Sequence, residues 1–152
     1  MTKKKINLNN NSLIEQFGMK PYKLRVKEKY MSKRQLNHFK KILNSWKEQL
    51  EQEAEKTVNH MQNDSNSLAD PNDRATQESE FGLELRTRDR ERKLIRKIHT
   101  SLIKIDDGTF GYCEETGEEI GLQRLEARPV ASLTLEAQER REITEKQFKD
   151  SR

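Results

Sequence analysis

Cys113 is the only cysteine in the chain, so no internal disulfide is available. Histidine is nearly as scarce. His38, His60 and His99 show no spacing that would bring two of them onto one metal ion. The six glycines include no phosphate-cradling loop, and no nucleophile stands beside a base in any hydrolase-like pattern. These gaps argue against an enzyme. Apolar residues are sparse as well, 31% against 37% charged, where an average globular chain has roughly 45–50% and 25%. A single large core is out of reach, and long helices that each bury one stripe fit the composition. No apolar run approaches the roughly 18 residues of a membrane span. The basic N-terminus has no apolar signal core behind it. The sequence therefore predicts a cytoplasmic protein with no membrane association.

Charge is plentiful and uneven. The net charge is only +4, yet residues 1–40 carry many lysines and arginines against two acids, Glu15 and Glu28. The stretch RTRDRERKLIRK (86–97) is basic too, whereas the segment after Cys113 is acidic. One-sign patches form solvated faces or bind phosphates and acidic partners.

Periodicity gives the architecture. From Ser32, a plausible N-cap, the positions Leu36, Phe39, Leu43, Trp46, Leu50, Ala54, Val58 and Met61 alternate spacings of three and four. That pattern predicts a narrow seam on one long helix. The polar run NDSNSLADPND interrupts it. A second helical pattern follows, with Phe81, Leu85, Ile95, Ile98, Leu102 and Ile105 on its seam and Arg88 and Arg92 lying between. Asp106, Asp107 and Gly108 end it. Two such helices with a short connection form an antiparallel hairpin. The predicted fold is mainly α: a long two-helix coiled-coil hairpin (32–107, tip near 64–73) projecting from a small globular base. An N-terminal arm (1–31) packs on that base, which consists of 108–152. TFGYC and EEIGLQRL read as β-prone pieces of the base, and a C-terminal helix is expected from Leu135 to about Phe148.

The segment from Gly111 to Gln138 keeps the outline of a zinc ribbon. Cys113, Thr116, Thr134 and Ala137 stand at Cys-x2-Cys…x17…Cys-x2-Cys spacing with three sulfurs replaced. A threonine hydroxyl is a poor zinc ligand and an alanine methyl is none, whereas structural zinc takes four N or S donors. Neither zinc nor any resident cofactor is expected. Packing must supply the stabilisation that metal gives such folds, on the order of 10 kcal/mol.

The hairpin, the tip ADPNDRA (69–75), the run ELRTRDRERKLIRKI (84–98) and FGYCE…GEEIGLQRLEARP (110–129) together resemble the DksA family of bacterial transcription regulators, in its variant lacking most zinc-finger cysteines. The resemblance covers roughly residue 20 to the end. It implies a monomer that binds RNA polymerase directly, without sequence-specific DNA binding. The coiled coil would enter the secondary channel while the base rests on its rim. The open promoter complex would then be destabilised together with ppGpp, a co-regulator bound at the polymerase interface. Ribosomal RNA promoters would be inhibited and some amino-acid biosynthesis promoters activated.

The resemblance also assigns residues. Asp70 and Asp73 match the acidic pair at the tip, and Ala75 the small residue beside it. Asp70 before Pro71, with Asp73 at the third helical position, is also a good capping arrangement. The two roles are compatible, because a cap fixes where the carboxylates point. Leu94, Lys97 and Arg128 match the ppGpp contacts, and Arg90 and Arg124 match positions that support polymerase contact. A further lysine contact of the family corresponds to Gln138, which carries no charge. Two rival readings share these features. A Gre-like transcript-cleavage factor also inserts a two-helix arm with acidic tip residues, but the ribbon outline and RLEARP are not Gre-like. A basic nucleic-acid-binding protein would use 1–40 and 86–97, which lack interleaved aromatics for base stacking.

Overall fold

The computed structural model describes residues 13–64 and 71–151. They form five helices: α1 (Leu13–Gln16), α2 (Lys33–Asp64), α3 (Pro71–Asp107), α4 (Leu122–Ala127) and α5 (Leu135–Asp150). The long helices α2 and α3 pack together and dominate the fold. Ser32 caps α2, its hydroxyl accepting the Gln35 N–H at 3.4 Å. No proline or glycine interrupts α2, and Pro71 opens α3 at the one helical position that tolerates it. At 1.5 Å per residue the 32 and 37 residues of α2 and α3 extend about 48 and 55 Å.

The chain divides into two compact units, 1–42 with 111–152, and 43–110. In the second unit the seam expected on α2 is the observed one. Leu43 and Leu50 are buried, and Trp46, Ala54, Val58 and Met61 are half-buried. The α3 seam differs from expectation over its middle. Leu85 is 48% exposed and Arg92 is exposed, while Glu84 and Glu91 turn inward; Arg88 is half-buried, on the seam as expected. The reason is phase. Counting back by alternating threes and fours from the buried Ile105 and Ile98 through Ile95 leads to 91, 88, 84 and 81. His60 of α2 and Glu84 of α3 approach within 3.8 Å across this seam.

In the first unit, Ile14, Phe39, Ile42, Cys113, Ile120, Leu125, Val130, Leu133 and Ala137 are buried. Helix α1 rests on α4. The expected β-pieces are a correction. No strand occurs among the described residues, only a single antiparallel bridge between Tyr112 and Glu119. The second half of the second piece, from Leu122, opens α4. LQRLEA consists of strong helix formers without a β-branched side chain. It ends at Arg128, whose extended backbone (φ −142°, ψ 89°) is what a following proline favours.

Tyr30 joins the arm to the finger-like segment. Its hydroxyl donates to the Gly111 carbonyl at 2.8 Å and accepts the Gly121 N–H at 2.9 Å. Both glycines have φ near +90° (+91° and +99°), and a Cβ on Gly111 would lie 2.9 Å from the Met31 side chain. Glycine is required there by backbone and by space.

Candidate functional site

Asp73 and Ala75 lie exposed in the first two turns of α3, at the turn end of the hairpin. Asp70 lies outside the described residues. Asp73 is the acidic residue of the first turn, where the helix dipole favours a carboxylate. Arg90, Leu94 and Lys97 follow on α3 at spacings of four and three, which places them on one face. Arg90 and Lys97 are exposed and Leu94 is half-buried.

Arg124 and Arg128 come together in the first unit, one turn apart, with the Arg128 N–H donating to the Arg124 carbonyl at 2.8 Å. They share a cleft of about 810 Å³ with Leu24, Tyr30, Gln35 and Leu135. Arg124 has a structural task besides any contact, because its Nε donates to the Leu133 carbonyl at 2.9 Å. Gln35 is fully buried. Its Oε1 accepts the Met31 N–H at 2.7 Å, and its Nε2 has no partner. Gln138 donates to Glu142 at 2.8 Å within α5.

The positions corresponding to zinc ligands do not fit a metal. Thr134 is the N-cap of α5, its hydroxyl accepting the Ala137 N–H at 3.3 Å and donating toward the Cys113 Sγ at 3.9 Å. The Ala137 methyl is sealed in the core, and the exposed Thr116 hydroxyl accepts the Glu118 N–H. One thiol is therefore the whole soft-donor set, where zinc needs four. The sulfur still sits in a cradle of donors. Burial pushes the Cys113 thiol up, but hydrogen bonds from the Thr116 hydroxyl and from the N–H groups of Thr134, Thr116 and Glu115 outweigh it, holding it at about 6.

Two polar clusters of the arm went unnoticed in the sequence. Glu28 accepts from the Tyr22 hydroxyl, from Ser32 Oγ at 2.8 Å and from the Arg25 N–H at 3.0 Å, with Arg34 at 3.8 Å. The Tyr22 bond and then the Arg25 bond hold its carboxyl at about 2. His38 stacks at a tilt on Tyr22 and lies 3.6 Å from Glu126, whose carboxylate also accepts the Tyr22 N–H. Burial lowers the His38 pKa, Lys41 and Arg34 lower it further, and Glu126 opposes them. The only available signal was two acids among many cations, which does not reveal partners.

Fold and surface thus define a helical protein with a two-helix hairpin, an acidic residue at its turn end and a finger-like segment without metal ligands. Residues 35–105 match the family described as DnaK suppressor protein DksA, N-terminal domain, and residues 108–142 match the prokaryotic dksA/traR C4-type zinc finger. The RNA polymerase-binding transcription factor DksA of Haemophilus influenzae (strain ATCC 51907 / DSM 11121 / KW20 / Rd) is 54% identical over 136 residues, 90% of this chain and 94% of that protein. The protein of the same name from Escherichia coli (strain K12) is 52% identical over 137 residues, covering 90% and 91%. The solved structure of transcription factor DksA2 from Pseudomonas aeruginosa matches with TM-score 0.71 at 37% identity, over 77% of this chain and 90% of that one. The chain belongs to the DksA family.

Proposed function

We propose that this protein is a transcription factor that binds bacterial RNA polymerase directly. Its hairpin enters the secondary channel, and open promoter complexes are destabilised together with ppGpp. Inhibition at ribosomal RNA promoters and activation at some amino-acid biosynthesis promoters follow from the differing lifetimes of those complexes. The observation that carries the reading is the exposed Asp73 at the turn end of two long packed helices in a DksA-family chain. Two helices side by side, each about 10–12 Å across, make a probe thin enough for a pore. An N-terminal-turn carboxylate is a negative group of fixed direction. Near a metal-dependent active centre it can act through charge, with no chemistry of its own. Arg90 and Arg124 are assigned to polymerase contact, Leu94, Lys97 and Arg128 to ppGpp, and Asp70 and Ala75 to support of Asp73. Arginine and lysine suit phosphate oxygens. With Gln138 uncharged, one cationic contact is missing from that set.

In vitro transcription from a ribosomal promoter, with and without ppGpp, tests the assignment. Wild-type protein is expected to inhibit, and Asp73→Asn to bind polymerase equally well while losing inhibition. Full inhibition by Asp73→Asn would remove Asp73 from the mechanism. Transcript cleavage in backtracked complexes would point to Gre-like activity instead.

A further inference from the structure

The cleft lined by Leu24, Gln35 and Leu135 contains a donor that the fold leaves without an acceptor. Gln35 is fully buried, and its Nε2 has no hydrogen-bond partner. Its orientation is fixed by the other end of the amide. Oε1 accepts the Met31 N–H at 2.7 Å, and an N–H can only donate, so the oxygen keeps that side and the NH2 group takes the other. Holding Met31 uses the oxygen alone. A buried donor without an acceptor destabilises the chain that carries it, and native folds keep few of them. We infer that this cleft binds a small, largely apolar molecule whose polar end is a carbonyl acceptor, a medium-chain acid or its amide. The volume of about 810 Å³ falls in the roughly 300–1,000 Å³ range of small-molecule sites.

The lining selects this chemistry in two ways. Leu24, Ile120, Leu122, Ala127 and Leu135 give it apolar walls. Leu24 and Leu135 are 63% and 57% exposed, so an apolar body laid against them removes from water surface that the fold leaves wet. Charge is balanced, with Arg124 and Arg128 against Glu28 and Glu119. A cleft without net charge does not favour a multivalent ion. An apolar chain with one acceptor matches both the walls and the orphaned donor. The walls are also held before any ligand arrives. Tyr30 is fixed between the Gly111 carbonyl and the Gly121 N–H, Arg124 by the Leu133 carbonyl, and Glu28 by Tyr22, Ser32 and the Arg25 N–H. Groups tied down in this way lose little freedom on binding.

The test titrates the full chain calorimetrically with octanoate, octanamide and octylammonium, and follows the side-chain NH2 groups by proton–nitrogen NMR. Saturable one-to-one binding of octanoate and octanamide is expected. Octylammonium has the same chain but no acceptor, and should bind about tenfold more weakly or not at all, the size of one hydrogen bond to a buried donor. The Gln35 NH2 signals, identified by their loss in Gln35→Met, should move as the site fills. Gln35→Met also takes the acceptor from the Met31 N–H, so the affinity test falls on exposed wall residues. Leu24→Gln/Leu135→Gln should weaken binding several-fold at unchanged melting temperature. Binding of octanoate alone assigns the acid, and of octanamide alone the neutral form, and either supports the site. The inference is overturned by non-saturable binding, by equal affinity for octylammonium, by unmoved Gln35 signals, or by full affinity in the double variant. Arg124 and Arg128 stay intact in every variant and polymerase is absent, so the result is independent of the proposed regulatory role.

Discussion

A single carboxylate, Glu28, ties Tyr22, Ser32, the Arg25 backbone and Arg34 into one cluster. Its carboxyl is held at about 2, against 4.5 ordinarily. A depressed carboxyl contributes stability that is complete above the unfolded-state value and lost as pH falls through the folded one. Chemical denaturation between pH 6 and pH 2 is therefore expected to show stability falling below about 4.5, with the fall reduced in Glu28→Gln. Cys113 shows the same sign at a different pH. Its thiolate absorbance is expected to rise with a midpoint at about 6, and Cys113→Ser removes that signal. Alkylation should nonetheless be slow, because only 4% of the residue is exposed. A midpoint at the ordinary thiol value would show that the hydrogen bonds do not act as described.

At the scale of elements, the hairpin carries a defect in its seam. Glu84, Arg88 and Glu91 occupy inward positions on α3, and Glu84 Oε2 is buried with no hydrogen-bond partner. An unsatisfied buried polar atom costs about 1–3 kcal/mol. Glu84→Leu removes that cost together with the His60 contact and is expected to raise hairpin stability modestly, read as a higher melting temperature. Helix α5 illustrates the opposite economy. Residues 139–150 are all exposed, including Ile143 and Phe148 at 56% and 70%. Its attachment rests on the Thr134 cap and the buried Ala137.

For the whole molecule, the residues of the first unit do not fit the metal that its family description names. Thr134 capping, the Ala137 methyl and the Tyr30 hydroxyl between Gly111 and Gly121 stand where metal–thiolate bonds would otherwise hold the segment. Chelator is therefore expected to leave the melting temperature unchanged, and protein purified without added metal should contain no stoichiometric zinc by ICP mass spectrometry. A stoichiometric zinc content would require donors other than these four positions. Among the described residues no helix is long and apolar enough to cross a membrane.

The helical framework was legible because helix physics is local. Ser32 before a 3–4 repeat, Pro71 at a first turn and Asp107–Gly108 at an end act through neighbours only, and each fell where its type demanded. The missing zinc ligands were legible for the same reason, since donor chemistry belongs to the residue. Long-range pairing was not. The α3 phase between Phe81 and Ile95 depends on which face α2 covers, so the seam was expected at Leu85 and Arg92 where Glu84 and Glu91 lie, while Arg88 fell as expected. Helix α4 was not legible in EEIGLQRL, because the bond from Arg124 to Leu133 that secures it spans nine residues. Tyr30 finding Gly111 and Gly121, and Lys20 and Lys23 meeting Arg34 and Lys41, were decided only by tertiary structure. Side chains distant in sequence carry no periodic mark of their partners, and only the folded chain brings them within bonding distance.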